Sequence, residues 1–324
     1  MSQSTSGHGA RGAHARTDAD PALWRRLRRR AAMTSLGIAT LLATAKIVGA
    51  FVTGSVGVLS SLADSLADVA ASGLTFWTVE LAHRPADEDH RYGHGRAEAL
   101  SSLVQAALVV ASAIFVVYVG VGRLFDPEPL REGRWAIAVM ALSVAGSLTI
   151  VGVQRATLRR VESVAIEADS LHYKGDVLSN LAIIAGLFVA SRPGFGWVDP
   201  VIGGLIALYL MVSIGGVARR SIDQLMDREL PEDERARVAA VVEADPDVRG
   251  FHDLRTRSLG VSAHIDLHLE LDGHLDLVTA HEITDRVERA LLAAFPGSSV
   301  TIHTEPFGLD DDRLDDRVRG PRRA

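Results

Sequence analysis

The chain has 324 residues and no cysteine. Disulfide frameworks, thiolate metal sites and thiol redox chemistry are therefore excluded, and any bound metal must be held by His, Asp and Glu. Aromatic residues are scarce, at 5%. There is no surplus of positive charge. The net charge is −6, from 34 Lys and Arg against 40 Asp and Glu, which argues against a nucleic-acid binder. The N-terminus lacks the apolar core of a secretory leader. It runs polar, with Gly, Ser, His and Arg, and then turns strongly basic.

Apolar sequence is plentiful. Hydrophobic residues make up 48% of the chain and gather into long runs, as in membrane proteins. Residues 1–22 are expected to be a disordered tail, in which His8 and His14 read as ordinary tail histidines. The basic cluster Arg25, Arg26, Arg28, Arg29 and Arg30 then abuts the first apolar run, Ala31 to Val52. Later runs cover Leu59 to Ala82, Ala97 to Val121, Trp135 to Val153, Ala165 to Ala190 and Trp197 to Val217. Six spans put both termini on one side. Arg84, Arg91, Arg96, Arg155, Arg159, Arg160, Arg219 and Arg220 fall in the segments on that side. The positive-inside bias then makes both termini cytoplasmic, in a multi-pass protein of the cell membrane. The chain is expected to divide into a transmembrane domain over 23–222, a cytoplasmic domain over 223–307 and a disordered charged tail over 308–324.

From Pro231 the texture becomes that of a soluble α+β domain. A helix opens with Pro and acids in its first turn. Strands are expected at Leu254–Ser258 and Ser262–Leu271. In the second, Ile265, Leu267, Leu269 and Leu271 alternate with His264, Asp266, His268 and Glu270. A helix follows, spaced by Leu277, Ile283, Val287, Leu291 and Phe295, then a last strand over Ser299–His303. The order αββαβ predicts a small open sheet with helices on one face.

The second apolar run carries the informative anomaly. Asp64 and Asp68 lie one helical turn apart inside it. A carboxylate at mid-membrane costs roughly 2.5–3.5 kcal/mol, and a like charge one turn away adds repulsion. Such a pair persists where something cationic neutralises it. The fifth run offers the same spacing in His172 and Asp176. Two helices that each present an i, i+4 pair can enclose one tetrahedral ion. Three carboxylates and one imidazole suit Zn²⁺ and also accept Fe²⁺, Co²⁺, Cd²⁺ or Mn²⁺. Empty, such a site should take up protons, which the metal must displace. A site that trades protons for a divalent ion and faces each side in turn is an antiporter. Lys46, near the end of the first run, can snorkel or pair with a carboxylate.

Two further groups stand outside the apolar runs. In the loop HRPADEDHRYGHGRAE, Asp87, His90 and His94 can ligate a metal, with Glu88 and Asp89 as competitors. In the soluble domain His252, His268, His281, His303 and Glu305 fall on or beside different elements, with His264 and His274 nearby. Such clusters can bridge metals within or between protomers. The alternatives are a hydrophilic loop and exposed histidines on a polar sheet face. No HExxH or nucleophile-and-base constellation supports an enzyme.

These motifs resemble those of the cation diffusion facilitator family, in its bacterial zinc and ferrous-iron efflux branch. The resemblance is carried by SLADSLADVAAS, RPADEDHRYGHGRAEAL, ADSLHYKGDVLSN and HDLRTRSLG…HIDLHLEL…AHEITDRVE…FPGSSVTIHTEP, and covers Ala31 to Pro306. It implies a six-span homodimer that uses protons to move divalent metal out of the cytoplasm, with a metallochaperone-like C-terminal domain that dimerises. It implies an intramembrane transport site of Asp64, Asp68, His172 and Asp176, and a loop site of Asp87, His90 and His94. It implies a cytoplasmic site of His252, His268, His281, His303 and Glu305, Glu305 standing where the family carries Asp. Arg96 and Asp227 occupy the places of a charge interlock, with Arg where the nearest relatives have Lys. His172 in the fifth-span pair looks like the zinc-type arrangement. The expected ligands are Zn²⁺, transported and regulatory, and Fe²⁺; the alternatives are a Mn²⁺/Fe²⁺-preferring exporter and a membrane metal sensor that moves no ions.

Overall fold

The long apolar runs form six helices. They are α1 (Pro21–Thr53), α2 (Val56–Ala82), α3 (Ala97–Phe125), α4 (Arg134–Leu158), α5 (Val164–Val189) and α6 (Val198–Leu225). The structure, a computed structural model, describes residues 21–53, 56–125, 134–189, 198–309 and 313–319. Expectations for the tail before Pro21, His8 and His14 among them, lie outside the described residues. The chain divides into a helical unit, Ala22–Ile222, and a C-terminal unit that begins at Asp223.

The shortest of the six helices has 25 residues, which at a rise of about 1.5 Å per residue exceeds the thickness of a bilayer's apolar core. Among the described residues, four stretches are long and apolar enough to cross a membrane by composition alone: Ala22–Val48, Ala97–Gly122, Met140–Leu158 and Pro200–Leu225. They lie in α1, α3, α4 and α6. The other two helices carry more acidic residues along their length, Asp64, Asp68 and Glu80 on α2 and Glu167, Asp169 and Asp176 on α5.

Helix α5 packs against α2, α3 and α4. Its buried face is held by polar ties as well as by apolar contact, because an unsatisfied polar group away from water is costly. The Ser72 and Tyr173 hydroxyls meet at 2.6 Å between α2 and α5. Gln154 of α4 donates to Asp169 of α5 at 2.6 Å and to Ser35 of α1 at 2.8 Å. Near the start of α3, Arg28 pairs with Glu98 at 3.2 Å, both nearly fully buried, and Glu98 also accepts from the Ser163 hydroxyl. Leu41, Ile114, Phe115, Tyr118, Leu205 and Val212 point outward and exposed. That apolar exterior over a polar-tied interior is what lipid as solvent demands.

The C-terminal unit comprises α7 (Glu232–Glu243), β1 (Gly250–Ser258), β2 (Ala263–Leu271), α8 (Leu277–Ala294), β3 (Ser299–Pro306) and α9 (Leu314–Arg319). Asp276 caps α8 by accepting from the Thr279 N–H at 2.9 Å. The sheet order is β1-β2-β3, antiparallel then parallel, since α8 carries the chain back between β2 and β3. Ile265, Leu267, Leu269 and Leu271 bury one face of β2 against Val238 and Val242 of α7 and Ile283, Val287 and Leu291 of α8. The αββαβ domain read from the sequence is thus present, and the other face of β2 is left polar.

Two boundaries differ from expectation. Strand β1 starts at Gly250 and not at Leu254, because Asp253 adopts φ 52° and the register shifts between His252 and Arg255. Such a bulge breaks the period-two pattern by which a strand is recognised. The segment 308–324 was expected to be disordered, yet Leu314–Arg319 is helical. The Asp253 carboxylate accepts from the N–H groups of Leu314 and Asp315, at 2.9 and 3.0 Å, and so ties this segment to β1.

Candidate metal centres

Helix α2 carries Asp68 and α5 carries His172 and Asp176. Nε2 of His172 lies 2.9 Å from Oδ1 of Asp68 and 3.9 Å from Oδ2 of Asp176. One ligand atom from each of the three residues falls within 4.8 Å of the others, a spread that one divalent ion can gather. The ties between α2 and α5 set this distance. Tyr173, next to His172, is anchored by Ser72, one turn from Asp68. Asp64, expected with these residues, stands one turn earlier on α2, is exposed and is not among the three. It is close enough to Asp176 for their charges to interact. Asp176 lines a small cavity with His172, Gly175 and Leu210.

Lys46 is the group the sequence mentioned but could not locate. It is buried on α1, its Nζ 2.7 Å from the Ser65 hydroxyl, and its charge acts on Asp64, Asp68 and Asp176. A lysine thus sits beside the carboxylates.

In the loop between α2 and α3, Asp87, His90 and His94 form a second compact group. Oδ1 of Asp87 accepts from the His90 N–H at 2.7 Å and the Asp89 N–H at 3.1 Å, and Oδ2 lies 3.3 Å from Nε2 of His94. The His90 N–H, above all, holds the Asp87 carboxyl below the usual carboxylate range, so it is ionised and ready as a ligand. The His90 and His94 rings stand 4.6 Å apart.

The third group lies on the polar face of the sheet. His252 pairs directly with His268 across β1 and β2, and His268 with His303 across β2 and β3. The three rings form a row, 5.1 and 4.8 Å between centroids. Glu305, two residues beyond His303, returns to the same face. Its Oε1 is 2.8 Å from Nε2 of His252 and its Oε2 is 3.5 Å from Nδ1 of His268. His252, His268 and Glu305 form the compact group; His303 flanks it, exposed. His281 stands apart on α8, exposed, 3.7 Å from Asp285. Nδ1 of His268 is buried and makes no hydrogen bond. A buried polar atom left so is costly, and a metal ion would satisfy it. The longer Glu305 side chain therefore reaches the group.

Of the two residues assigned to an interlock, Asp227 pairs with Arg257 at 3.3 Å within the C-terminal unit. Arg96 stands at the entry to α3, its carbonyl accepting from the N–H groups of Ala99 and Leu100.

A family model for the cation efflux transmembrane domain matches residues 32–226, and one for the cytoplasmic domain of cation efflux proteins matches residues 230–307. The chain belongs to the cation efflux family. Relatives include the cation-efflux pump FieF of Shewanella oneidensis, 41% identical over 280 residues, which are 86% of this chain and 94% of the relative. FieF of Cronobacter sakazakii is 42% identical over 284 residues, 88% of this chain and 94% of the relative. Among solved structures, the metal-bound C-terminal domain of the CzcD transporter from Thermotoga maritima is 30% identical. It covers 25% of this chain and 100% of its own, with a TM-score of 0.24. The resemblance read from the paired motifs is borne out. Cation efflux proteins are membrane transporters of divalent metal, and the α+β unit is their cytoplasmic domain.

Proposed function

We propose that the chain is a proton-coupled exporter of divalent metal, Zn²⁺ first and Fe²⁺ second, working as a homodimer in the cytoplasmic membrane with both termini inside. The observation that carries this reading is the convergence of Asp68, His172 and Asp176 in the helical unit. Asp64 and these three residues are assigned to the transported ion.

The physical case rests on compensation of charge. Carboxylates held away from water need a counter-charge. Lys46 supplies one beside the site, and protons or the substrate ion supply the rest. The 2.9 Å contact between Nε2 of His172 and Oδ1 of Asp68 supports a proton held between them in the absence of metal. A metal that binds Nε2 must expel that proton, so loading with metal and loading with protons exclude each other. If the site opens to one side at a time, the exclusion becomes exchange.

The cytoplasmic site is assigned to a regulatory metal held by His252, His268 and Glu305, with His281 and His303 contributing in the dimer. A metal there would link three strands. The loop group is assigned to a further bound metal, and Arg96 and Asp227 to a charge interlock. The donor chemistry, nitrogen with carboxylate oxygen and no sulfur, favours Zn²⁺ and accepts Fe²⁺.

The test is flux in proteoliposomes that carry a metal-sensitive dye, with and without a pH gradient. The proposal expects metal entry that accelerates with the gradient and a reciprocal movement of protons. Metal binding with no flux under any gradient would leave the sensor reading in its place.

A further inference from the structure

Glu270 is buried on the polar face of β2, two residues beyond His268, and is not among the three donors that converge at the cytoplasmic site. Its carboxylate is held on three sides. Oε1 is 3.1 Å from Nδ1 of His252. The same oxygen accepts from Nη2 of Arg313 at 2.7 Å. Oε2 lies over Gly250, where an added Cβ would stand only 2.6 Å from it. Arg313 belongs to the C-terminal segment whose helix α9 is tied down by Asp253. That segment lies beyond residues 230–307, which the family's cytoplasmic domain covers.

A histidine that binds a metal through one ring nitrogen commonly donates its other N–H to a carboxylate, which sets the tautomer and the ring's direction. With Nδ1 of His252 facing Glu270, a metal on Nε2 would leave the ring proton on Nδ1, shared with that carboxylate. Nε2 then presents its lone pair toward Glu305 and His268. We propose that Glu270 is the positioning residue of the cytoplasmic metal site, and that Arg313 holds Glu270 to that role from the C-terminal segment. The inference deepens the proposed function, because it rests on metal binding by His252, His268 and Glu305. Glycine at 250 follows from the same arrangement, since a side chain there would displace the carboxylate.

The experiment measures Zn²⁺ affinity of the full-length protein in detergent by competition with a chromophoric chelator, and the visible spectrum of bound Co²⁺. Asp68→Ala and His90→Ala in the background remove the other sites. Glu270→Gln is expected to weaken Zn²⁺ binding roughly 10- to 100-fold and to alter the Co²⁺ bands. Gly250→Ala, which keeps every charge, is expected to do the same. Arg313→Gln should weaken binding less, and Arg313→Lys should recover part of the loss. Wild-type affinity and an unchanged Co²⁺ spectrum in both Glu270→Gln and Gly250→Ala would overturn the proposal, even if their melting temperatures fell. A protein that binds Zn²⁺ here with these dependences but transports none would defeat the transport reading and leave this one standing.

Discussion

At the candidate intramembrane site the proposed donors are Asp68 on α2 with His172 and Asp176 on α5; at the candidate cytoplasmic site they are His252, His268 and Glu305, one from each strand. The residue types are the same, and the backbones that carry them differ. On a helix, residues four apart share a face whatever the neighbours do. The α5 pair is therefore half of a site before tertiary packing begins, and packing has only to bring α2 beside it. On strands the period of two says which face a residue takes but nothing about which residue of the next strand stands alongside. The cytoplasmic row exists because register pairs His252 with His268 and His268 with His303. A helical site is vulnerable at the joint between helices, and a sheet site at its register.

The largest effect should come from Asp68→Ala, the only donor of the compact group that α2 supplies. Metal flux in proteoliposomes should fall to that of empty vesicles while the protein still elutes as a folded species. Uptake near the wild-type rate would refute the assignment. Next is Leu267→Ala, on the buried face of β2. It should cost the cytoplasmic domain about 2–5 kcal/mol, read by chemical denaturation of that unit, and loosen the strand pairing that sets the metal row. A loss under 1 kcal/mol would mean that register is held by something other than this core. Third, Tyr173→Phe removes the tie to Ser72 and should cost about 1 kcal/mol of thermal stability in detergent. It should also raise the metal concentration needed for half-maximal flux, and an unaltered flux curve would show that the tie does not set the spacing of α2 and α5.

The smallest effect tests a charge remote from both sites. Arg286 grips Asp245 through two contacts, at 2.8 and 2.9 Å, and reaches Asp247 at 2.6 Å. The guanidinium holds the Asp245 carboxyl below its ordinary value. A carboxyl depressed in this way stabilises the fold above its unfolded value, near pH 4, and loses that contribution as pH falls through the lower, folded one. Arg286→Gln should therefore lower the melting temperature slightly at neutral pH. The gap from wild type should close below roughly pH 4, and a gap that stayed constant with pH would rule out the ion pair as its cause.

Much of the helical unit was legible in the residues. The six apolar runs and the Asp and His pairs announce six helices and a site, since 3.6-residue periodicity is local. The exclusion of Asp64 from the compact group was not legible, because Asp64 and Asp68 have the same spacing logic and only the rotation of α2 against α5 separates them. In the C-terminal unit, the alternation along β2 announced its two faces correctly. The left-handed Asp253 hid the first residues of β1, His252 among them, by interrupting that alternation. Glu270 and Arg313 carried no signal at all, as one reads as a polar-face residue and the other as part of a charged tail.

By itself the sequence determined the elements, their polarity and the kind of ion they suit. Absent cysteine, apolar runs and i, i+4 spacing act over a few residues and need no knowledge of the fold. Tertiary structure alone decided which donors meet, which carboxylate stands behind His252, and that a lysine lies beside the membrane site. Those outcomes depend on helix rotation, strand register and a bulge, which join residues far apart in the chain through packing that no local pattern encodes.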